Sequence, residues 1–195
     1  MKTLIVYNHP YSDSFNHALL EAVIAGAKKA GHEVDVIDLD QDHFDPVMTG
    51  KDLLAFRDHQ VLDPQAKDYV AHLQAADHLV MLFPIWWELM PALTKGFIDK
   101  VIFPGAAYEY TASGYGMRTL LPKLRSTTVI TTMNTPKLVY RFVFGNAIKQ
   151  ALLKGTFKKT GMKNIKWFNL TMVKNSTQAK RKKWLTQVEE HFAKK

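Results

Sequence analysis

The chain of 195 residues contains no cysteine. Disulfide bonds, thiolate metal sites and cysteine nucleophiles are therefore excluded, and a cytoplasmic location is favoured because disulfides persist in oxidising compartments. No apolar run approaches the roughly 20 residues that a transmembrane helix needs, so we expect no membrane insertion. The first apolar run, from Leu4 to Tyr7, is too short for the core of a secretory signal.

Acidic residues are fewer than basic ones, with 18 Asp and Glu against 26 Lys and Arg, which gives a formal charge of +8. Such a balance indicates an anionic partner, either nucleic acid or a smaller phosphorylated ligand. Much of the excess lies in the last third, including the run KRKK at 180–183. Because Trp184, Leu185, Val188 and Phe192 form an apolar stripe on the same predicted helix, we interpret the run as a solvent-facing surface and expect no nucleic-acid binding.

Short apolar runs alternate along the chain with segments of helical periodicity. The runs predict five strands, at 3–8, 33–39, 78–84, 126–133 and 164–170. Helical spacing predicts helices over 15–31, 51–56, 64–76, about 91–102, part of 137–153 and 176–193. Strands that alternate with helices in this way form right-handed βαβ units, so we expect one α/β domain with a parallel sheet covered on both faces.

Two familiar nucleotide-binding motifs are missing, since the chain contains neither G-x-G-x-x-G nor a Walker P-loop. In open parallel sheets, ligands bind beyond the carboxyl ends of the strands, which directs attention to the loops 8–16, 84–91 and 131–137. In the first loop, polar residues surround the start of a helix, a natural anion site: Ser12, Asp13, Ser14 and Asn16. The simpler alternative is that Ser14 or Asp13 is only an N-cap and that His9 is a surface residue.

The second loop is unusually aromatic. The stretch FPIWWELMPALTKGFIDK, at 83–100, places Trp86 and Trp87 just after the third predicted strand. Loops are usually polar, so the paired indoles indicate either a platform for a flat ligand or a plug that closes the end of the sheet. The residues of this loop are compatible with both interpretations.

Two motifs resemble those of the NAD(P)H:quinone reductase branch of the flavodoxin-like flavoproteins. NHPYSDSFNHAL at 8–19 is similar to H-P-x-x-x-S-F-N, and FPIWWELMPALTKGFIDKVI at 83–102 is similar to F-P-x-x-W-x-x-x-P-A-x-L-K-G-x-x-D-x-V, with Thr94 in place of a leucine-type residue. The resemblance covers roughly residues 1–135. It implies a single flavodoxin-like flavin-binding domain over 1–195, a three-layer sandwich whose five parallel strands take the order 2-1-3-4-5.

The resemblance also implies roles for individual residues. The flavin phosphate and ribityl chain would be held by His9, Ser14, Phe15 and Asn16, and the isoalloxazine ring would be lined by Pro84, Ile85, Trp86 and Trp87. After the fourth strand the family often has T-T-G-G, whereas this chain has Thr131, Thr132, Met133 and Asn134. These residues must approach the ring with side chains present, and Asn134 is the candidate for a tight turn.

Three tyrosines are candidate catalytic residues. Tyr108 and Tyr110 match paired tyrosines of the family's substrate pocket, although Tyr-x-Tyr also fits a short edge strand. Tyr140 lies one residue out of register with the family's relay tyrosine. No histidine occurs between His78 and His191, so a histidine relay of the kind used by animal members has no counterpart here.

The predicted function is therefore a flavin-dependent NAD(P)H oxidoreductase that reduces quinones or similar acceptors by ping-pong hydride transfer. FAD is preferred over FMN as the cofactor, no metal is expected, and no arginine identifies NADH or NADPH as the reductant. A homodimer is implied, with 103–115 and 138–148 as contact segments. The alternatives are azo- or nitro-reduction, a one-electron flavodoxin, and a regulatory subunit of a membrane transport system such as potassium efflux.

Overall fold

A computed structural model describes residues 1–194, in which five parallel strands form one sheet. The strands are β1 (Lys2–Tyr7), β2 (Glu33–Asp38), β3 (His78–Pro84), β6 (Ser126–Thr132) and β7 (Ile165–Leu170). Their order is β2-β1-β3-β6-β7, which is the predicted order 2-1-3-4-5 counted over the sheet strands alone. The predicted flavodoxin-like α/β sheet is confirmed. That 1–195 acts as one flavin-binding domain stays a prediction.

Over the described part of the chain, the α-helices are α1 (Phe15–Lys29), α2 (Gly50–Arg57), α3 (Pro64–Ala75), α4 (Ala92–Val101), α5 (Lys137–Phe142) and α6 (Gln178–Ala193). The predicted helix within 137–153 is divided into α5 and a π-helix, Lys149–Lys158, because Gly145 and Asn146 between them take left-handed conformations with φ of 63° and 56°. Among residues 1–194, no helix has the length and apolar content that a membrane span requires.

Side chains that alternate along the strands form a separate apolar core on each face of the sheet. From β1, Ile5 and Tyr7 face α1 and α6, where they join Val188 and Phe192. Leu4 and Val6 face the opposite layer, which contains residues of α3, α4 and the π-helix. In the apolar stripe of α6, Val188 and Phe192 are buried and Trp184 and Leu185 are partly buried, as the spacing predicted. The lysines of its basic run are exposed.

A two-stranded antiparallel hairpin follows α4 and was not fully predicted. It pairs β4 (Tyr108–Tyr110) with β5 (Met117–Thr119), so the Tyr-x-Tyr segment is indeed a short strand. The partner strand has only three residues and no apolar alternation, which explains why its sequence gave no signal.

A buried lysine anchors the irregular segment between β2 and α3. Lys100 is only 4% exposed, and its Nζ donates to Asp63 Oδ2 at 2.8 Å and to the Asp45 carbonyl at 2.9 Å. Burial opposes ionisation of Asp63, but hydrogen bonds from Lys100 and from the backbone outweigh it, and the pKa of Asp63 is lowered. Gly96, one turn earlier, lets the segment approach α4, because a Cβ there would overlap Pro46.

Asp63→Asn should lower the free energy of unfolding by about 2 kcal/mol at pH 7, because the Lys100 ammonium would stay buried without its carboxylate. Asparagine preserves the N-cap that Asp63 provides to α3, so urea denaturation isolates the ion pair. Asp99→Asn, which breaks the exposed pair with Lys95, should cost at most about 0.5 kcal/mol. Because the folded pKa of Asp63 is lowered, the difference should persist until the pH falls below the ordinary value of 3.8. Equal losses in both variants would contradict this account.

Candidate functional site

Three loops meet at the carboxyl ends of β1, β3 and β6, which are neighbours in the sheet. The Ile85 amide donates to the Thr132 carbonyl at 2.8 Å. The side chains of Asn16 and Thr132 are hydrogen-bonded, with Asn16 Nδ2 3.0 Å from Thr132 Oγ1. The rings of His9 and Trp86 lie edge to face with centroids 6.3 Å apart. The serine-bearing and tryptophan-bearing loops therefore lie side by side at one rim.

The loop after β1 leads into α1 through an N-cap. Ser14 Oγ accepts from the His17 amide at 3.1 Å, and His9 Nδ1 accepts from the Tyr11 amide at 3.1 Å. The simple N-cap interpretation of Ser14 is thus correct, but a cap uses only one of the four N–H groups that a helix start leaves without intrahelical partners. The others, with the positive end of the helix dipole, remain suited to an anion. Phe15 lies at this end, with its ring 6.0 Å from that of Trp184.

Asn8 connects this loop to two other elements and was missed by the sequence reasoning. Its Oδ1 accepts from Thr94 Oγ1 at 2.7 Å, and its Nδ2 donates to Asp40 Oδ2 at 2.7 Å. Thr94 is therefore explained where a leucine-type residue is usual, because the buried amide needs a hydroxyl donor. The only sequence signal was a polar residue at the end of an apolar strand.

The tryptophans lie on a tight turn. The backbones of Trp86 and Leu89 exchange hydrogen bonds at 2.9 and 3.0 Å, and the two residues between them have positive φ, 49° at Trp87 and 65° at Glu88. Such a turn favours glycine or asparagine, and larger residues held there indicate strain at a functional loop. Trp87 is 99% exposed and Trp86 is 46% exposed. The plug interpretation is therefore wrong for Trp87.

Glu88 links this turn to the loop after β6. Its Oε1 accepts from Thr135 Oγ1 at 2.7 Å, and its backbone carbonyl accepts from the Tyr140 hydroxyl at 3.0 Å. Its other carboxylate oxygen, Oε2, is buried and has no hydrogen-bond partner among residues 1–194. A buried carboxylate oxygen without a partner is costly and calls for an explanation. The sequence did not predict this role of Glu88, because its only signal was one charged residue among aromatic and apolar ones.

Two side chains of the loop after β6, those of Met133 and Asn134, have partners outside the tryptophan turn. Met133 is 4% exposed and belongs to the core, while Asn134 Oδ1 accepts from the Lys174 amide at 2.9 Å. Asn134 lies in a bend, as expected, but it is not left-handed, and its side chain is directed to the segment after β7. The Thr131 hydroxyl is also used within the sheet, by Trp167 and Asn169.

The candidate tyrosines occupy two places. Tyr140 is buried, and its hydroxyl both donates to Glu88 and accepts from the Ile148 amide at 2.9 Å. Burial raises the pKa of Tyr140, so its phenol stays protonated. Tyr108 and Tyr110 lie on the hairpin with ring centroids 5.7 Å apart, and burial followed by the hydrogen bond with Tyr110 raises the pKa of Tyr108. Tyr108 borders the π-helix rather than the three loops.

Comparisons with known proteins can be set beside this geometry. A family model described as a flavodoxin-like fold matches residues 1–192. The chain belongs to the flavodoxin-like fold family. The solved structure of Smu.1420 from Streptococcus mutans UA159 superposes on this flavodoxin-like chain with a TM-score of 0.87 and 35% identity, and covers 100% of both chains.

Two relatives of this flavodoxin-like protein have names that refer to pyridine nucleotides. NAD(P)H dehydrogenase [quinone] 1 of Cavia porcellus is 32% identical over 127 residues, which cover 57% of this chain and 46% of that protein. The match thus spans about half the length of that relative. An uncharacterized NAD(P)H oxidoreductase of Haemophilus influenzae is 26% identical over 168 residues, 86% of this chain and 82% of that protein. The resemblance to NAD(P)H:quinone reductases is confirmed.

Among residues 1–194, no group of three or more histidine and carboxylate side chains is placed to hold a metal ion.

Thr135→Val should lower the free energy of unfolding by about 2 kcal/mol, because the Glu88 carboxylate would lose its hydroxyl donor while staying partly buried. Thr135→Ser retains the donor and should stay within about 0.5 kcal/mol of the parent, as most mild substitutions do. Urea denaturation of both variants measures the difference. Equal stability of the valine and serine variants would show that the Glu88–Thr135 hydrogen bond does not hold the two loops together.

Proposed function

We propose that this protein is a flavin-dependent oxidoreductase that uses NAD(P)H to reduce quinones or similar acceptors. The single observation that carries the proposal is the junction at the rim, where His9 of the loop after β1 lies edge to face with Trp86 of the loop after β3. One loop offers an anion site at a helix start, and the other offers exposed aromatic surface. A cofactor with a phosphate at one end and a flat ring at the other matches both.

The residues at the rim fit a flavin. The helix start at Ser14 and His9 would hold the phosphate, and Asn16 keeps that helix fixed to β6 through Thr132. The turn at 85–88 presents exposed indole surface, and the outward or buried side chains of Met133 and Asn134 leave the backbone of the third loop free to approach a ring. The unpartnered Glu88 Oε2 marks a place for a hydrogen-bond donor from outside the chain.

When bound, flavin supplies the hydride chemistry in both half-reactions. The chain's own contribution is to orient two planar molecules in contact and to exclude water with the indoles of Trp86 and Trp87. One site would serve the reductant and the acceptor in turn, which is ping-pong behaviour. The Tyr108 phenol, protonated because its pKa is raised, would donate a hydrogen bond or a proton to the acceptor.

FAD is the preferred cofactor within this proposal, with FMN as the alternative. Phe15 and Trp184 form an aromatic pair next to the start of α1, beyond the proposed phosphate position. Trp184 also lies under the Lys180 ammonium, 5.0 Å from the ring centroid. An adenine ring could stack at such a pair, whereas FMN would leave it unused.

A homodimer would complete the site. Within one chain, Tyr108 and Tyr110 lie on the hairpin and apart from the three loops. The surface after the third loop is apolar, with exposed side chains at Leu138, Phe142, Val143 and Phe144. An exposed apolar patch of this kind indicates a protein interface, and a second copy could place its tyrosines over the rim. The role of Tyr140 as a relay stays a proposal, as does a cytoplasmic location.

The purified protein should contain flavin, identified as FAD or FMN by mass spectrometry after extraction, and should oxidise NAD(P)H with menadione. A flavin-loaded protein inert with every quinone would favour the regulatory alternative, the ancillary subunit of a membrane transport system. Activity with azo or nitro compounds and none with quinones would favour that reductase class. A protein that binds no flavin would contradict the proposal altogether.

Trp86→Ala should weaken flavin binding about tenfold or more, because aromatic stacking on a ring contributes about 1–3 kcal/mol. Flavin dissociation is measured by fluorescence titration of protein stripped and reloaded with the cofactor. Trp87→Ala tests the second indole in the same way. Leu54→Ala removes an exposed apolar side chain from α2, away from the three loops, and should leave flavin affinity unchanged. Unchanged flavin affinity in both tryptophan variants would contradict the hypothesis that these indoles form a platform for the ring.

Phe142→Glu should shift the protein from dimer to monomer in sedimentation velocity, because a charge would be buried in an apolar interface. Val36→Glu, on the opposite edge of the sheet, should leave the dimer intact. A parent protein that is monomeric at all concentrations would refute the homodimer.

A further inference from the structure

A cavity of about 410 Å³ lies between the loop after β1 and the loop after β2. One of its walls is His9, whose ring also contacts Trp86 at the rim. Its walls are formed by Tyr7, His9, Pro10, Tyr11, Ser12, His17, Asp38, Asp40, Gln41 and His43. This volume is within the range of cavities that take small molecules, and the proposed roles of the rim leave it unassigned.

Two carboxylates at the end of β2 are held in fixed positions in this cavity. Asp38 Oδ1 accepts from the amides of Asp40 and Gln41, each at 3.2 Å. Asp40 Oδ2 accepts from Asn8 at 2.7 Å, and Asn8 is itself held by Thr94. The acidic groups are therefore oriented by the fold rather than free on the surface. Oriented carboxylates accept hydrogen bonds from paired hydroxyl groups with little loss of entropy.

A buried hydroxyl gives an independent indication of a ligand. Tyr7 is 1% exposed and borders the cavity. Its hydroxyl lies near Ser14, but no hydrogen bond of normal geometry satisfies it among residues 1–194. Buried polar atoms in native proteins are nearly always paired, so a polar group of a bound molecule is the expected partner.

The charge of the cavity decides which molecule fits. Its wall contains two aspartates and three histidines, His9, His17 and His43, and no lysine or arginine, so its permanent charges are negative. In dinucleotide-binding folds, an acidic residue after the second strand accepts hydrogen bonds from the ribose 2′- and 3′-hydroxyls of NAD, whereas an arginine accommodates the 2′-phosphate of NADP. Here two carboxylates likewise follow β2, beside the helix start after β1 that the flavin phosphate would occupy, so the comparison extends to the ribose site alone. A 2′-phosphate would meet negative charge at close range.

We propose that this cavity binds the adenosine ribose of NADH through Asp38 and Asp40, and that it thereby selects NADH over NADPH. The inference rests on the proposed oxidoreductase function, to which it adds the identity of the reductant. His9 lies where the dinucleotide passes from the cavity to the rim, where its nicotinamide would meet the flavin.

The test uses two ligands that lack the nicotinamide, ADP-ribose and 2′-phospho-ADP-ribose, in calorimetric titrations of the protein as purified. ADP-ribose should bind at least tenfold more tightly than its 2′-phosphorylated form. The ratio of kcat/KM for NADH to that for NADPH should show the same preference. Equal binding of the two ligands, or tighter binding of the phosphorylated one, would overturn the proposal.

The double variant Asp38→Asn with Asp40→Asn keeps the hydrogen-bond acceptors that hold both loops and removes the charges. It should reduce the preference for ADP-ribose about tenfold. Asp45→Asn, an exposed aspartate outside the cavity wall, is the matched control and should leave the preference unchanged. If the double variant and the control show the same preference for ADP-ribose, other residues cause that preference, and the proposed role of the cavity is refuted.

The experiments distinguish failure of the oxidoreductase function from failure of the ribose site in the cavity. A protein that lacks flavin but still prefers ADP-ribose refutes the oxidoreductase function and supports the cavity. An active flavoprotein without preference refutes the cavity alone. If FAD-loaded protein binds neither ligand and FMN-loaded protein binds both, the cavity holds the adenosine of the flavin, and the proposal is wrong.

Discussion

Thr132 is the residue through which the rest of the rim is connected. Its carbonyl accepts from Ile85 and its hydroxyl is paired with Asn16, so the last residue of β6 fixes both the start of the tryptophan loop and the start of α1. All these groups are buried, where unpaired polar atoms are costly. The loops after β1, β3 and β6 therefore move as one unit, and a ligand that contacts any of them contacts a rigid surface.

Around this fixed point the protein tolerates local costs. Trp87 and Glu88 both take left-handed conformations, which side chains other than glycine's disfavour. Glu88 also has one carboxylate oxygen without a hydrogen-bond partner among residues 1–194. Such features persist only when the surroundings over-determine them, and here Thr135 and Tyr140 supply the restraint. The apolar cores on both faces of the sheet stabilise the fold and offset the free-energy cost of this strain and of the unpaired oxygen.

The sheet and the positions of its loops could be predicted, because apolar runs such as 78–84 are read directly from residue periodicity. The contacts that shape the rim could not. Asn8 meets Thr94 across 86 residues, Glu88 meets Thr135 across 47, and Asn16 meets Thr132 across 116, and no local pattern encodes such pairings. Met133 and Asn134 illustrate the same limit. From the sequence, their side chains were expected to face the ring. In the structure, Met133 packs in the core and Asn134 is bonded to the Lys174 amide.

The complete exposure of Trp87 has a thermodynamic consequence. An indole kept in water raises the free energy of the folded chain relative to one whose ring is covered. A flavin stacked on it, as proposed, would bind the folded chain and not the unfolded one, so the melting temperature would rise with the concentration of flavin. A second copy that covered the same indole would compete for that surface, and assembly would then weaken cofactor binding by the same free energy by which the cofactor weakens assembly.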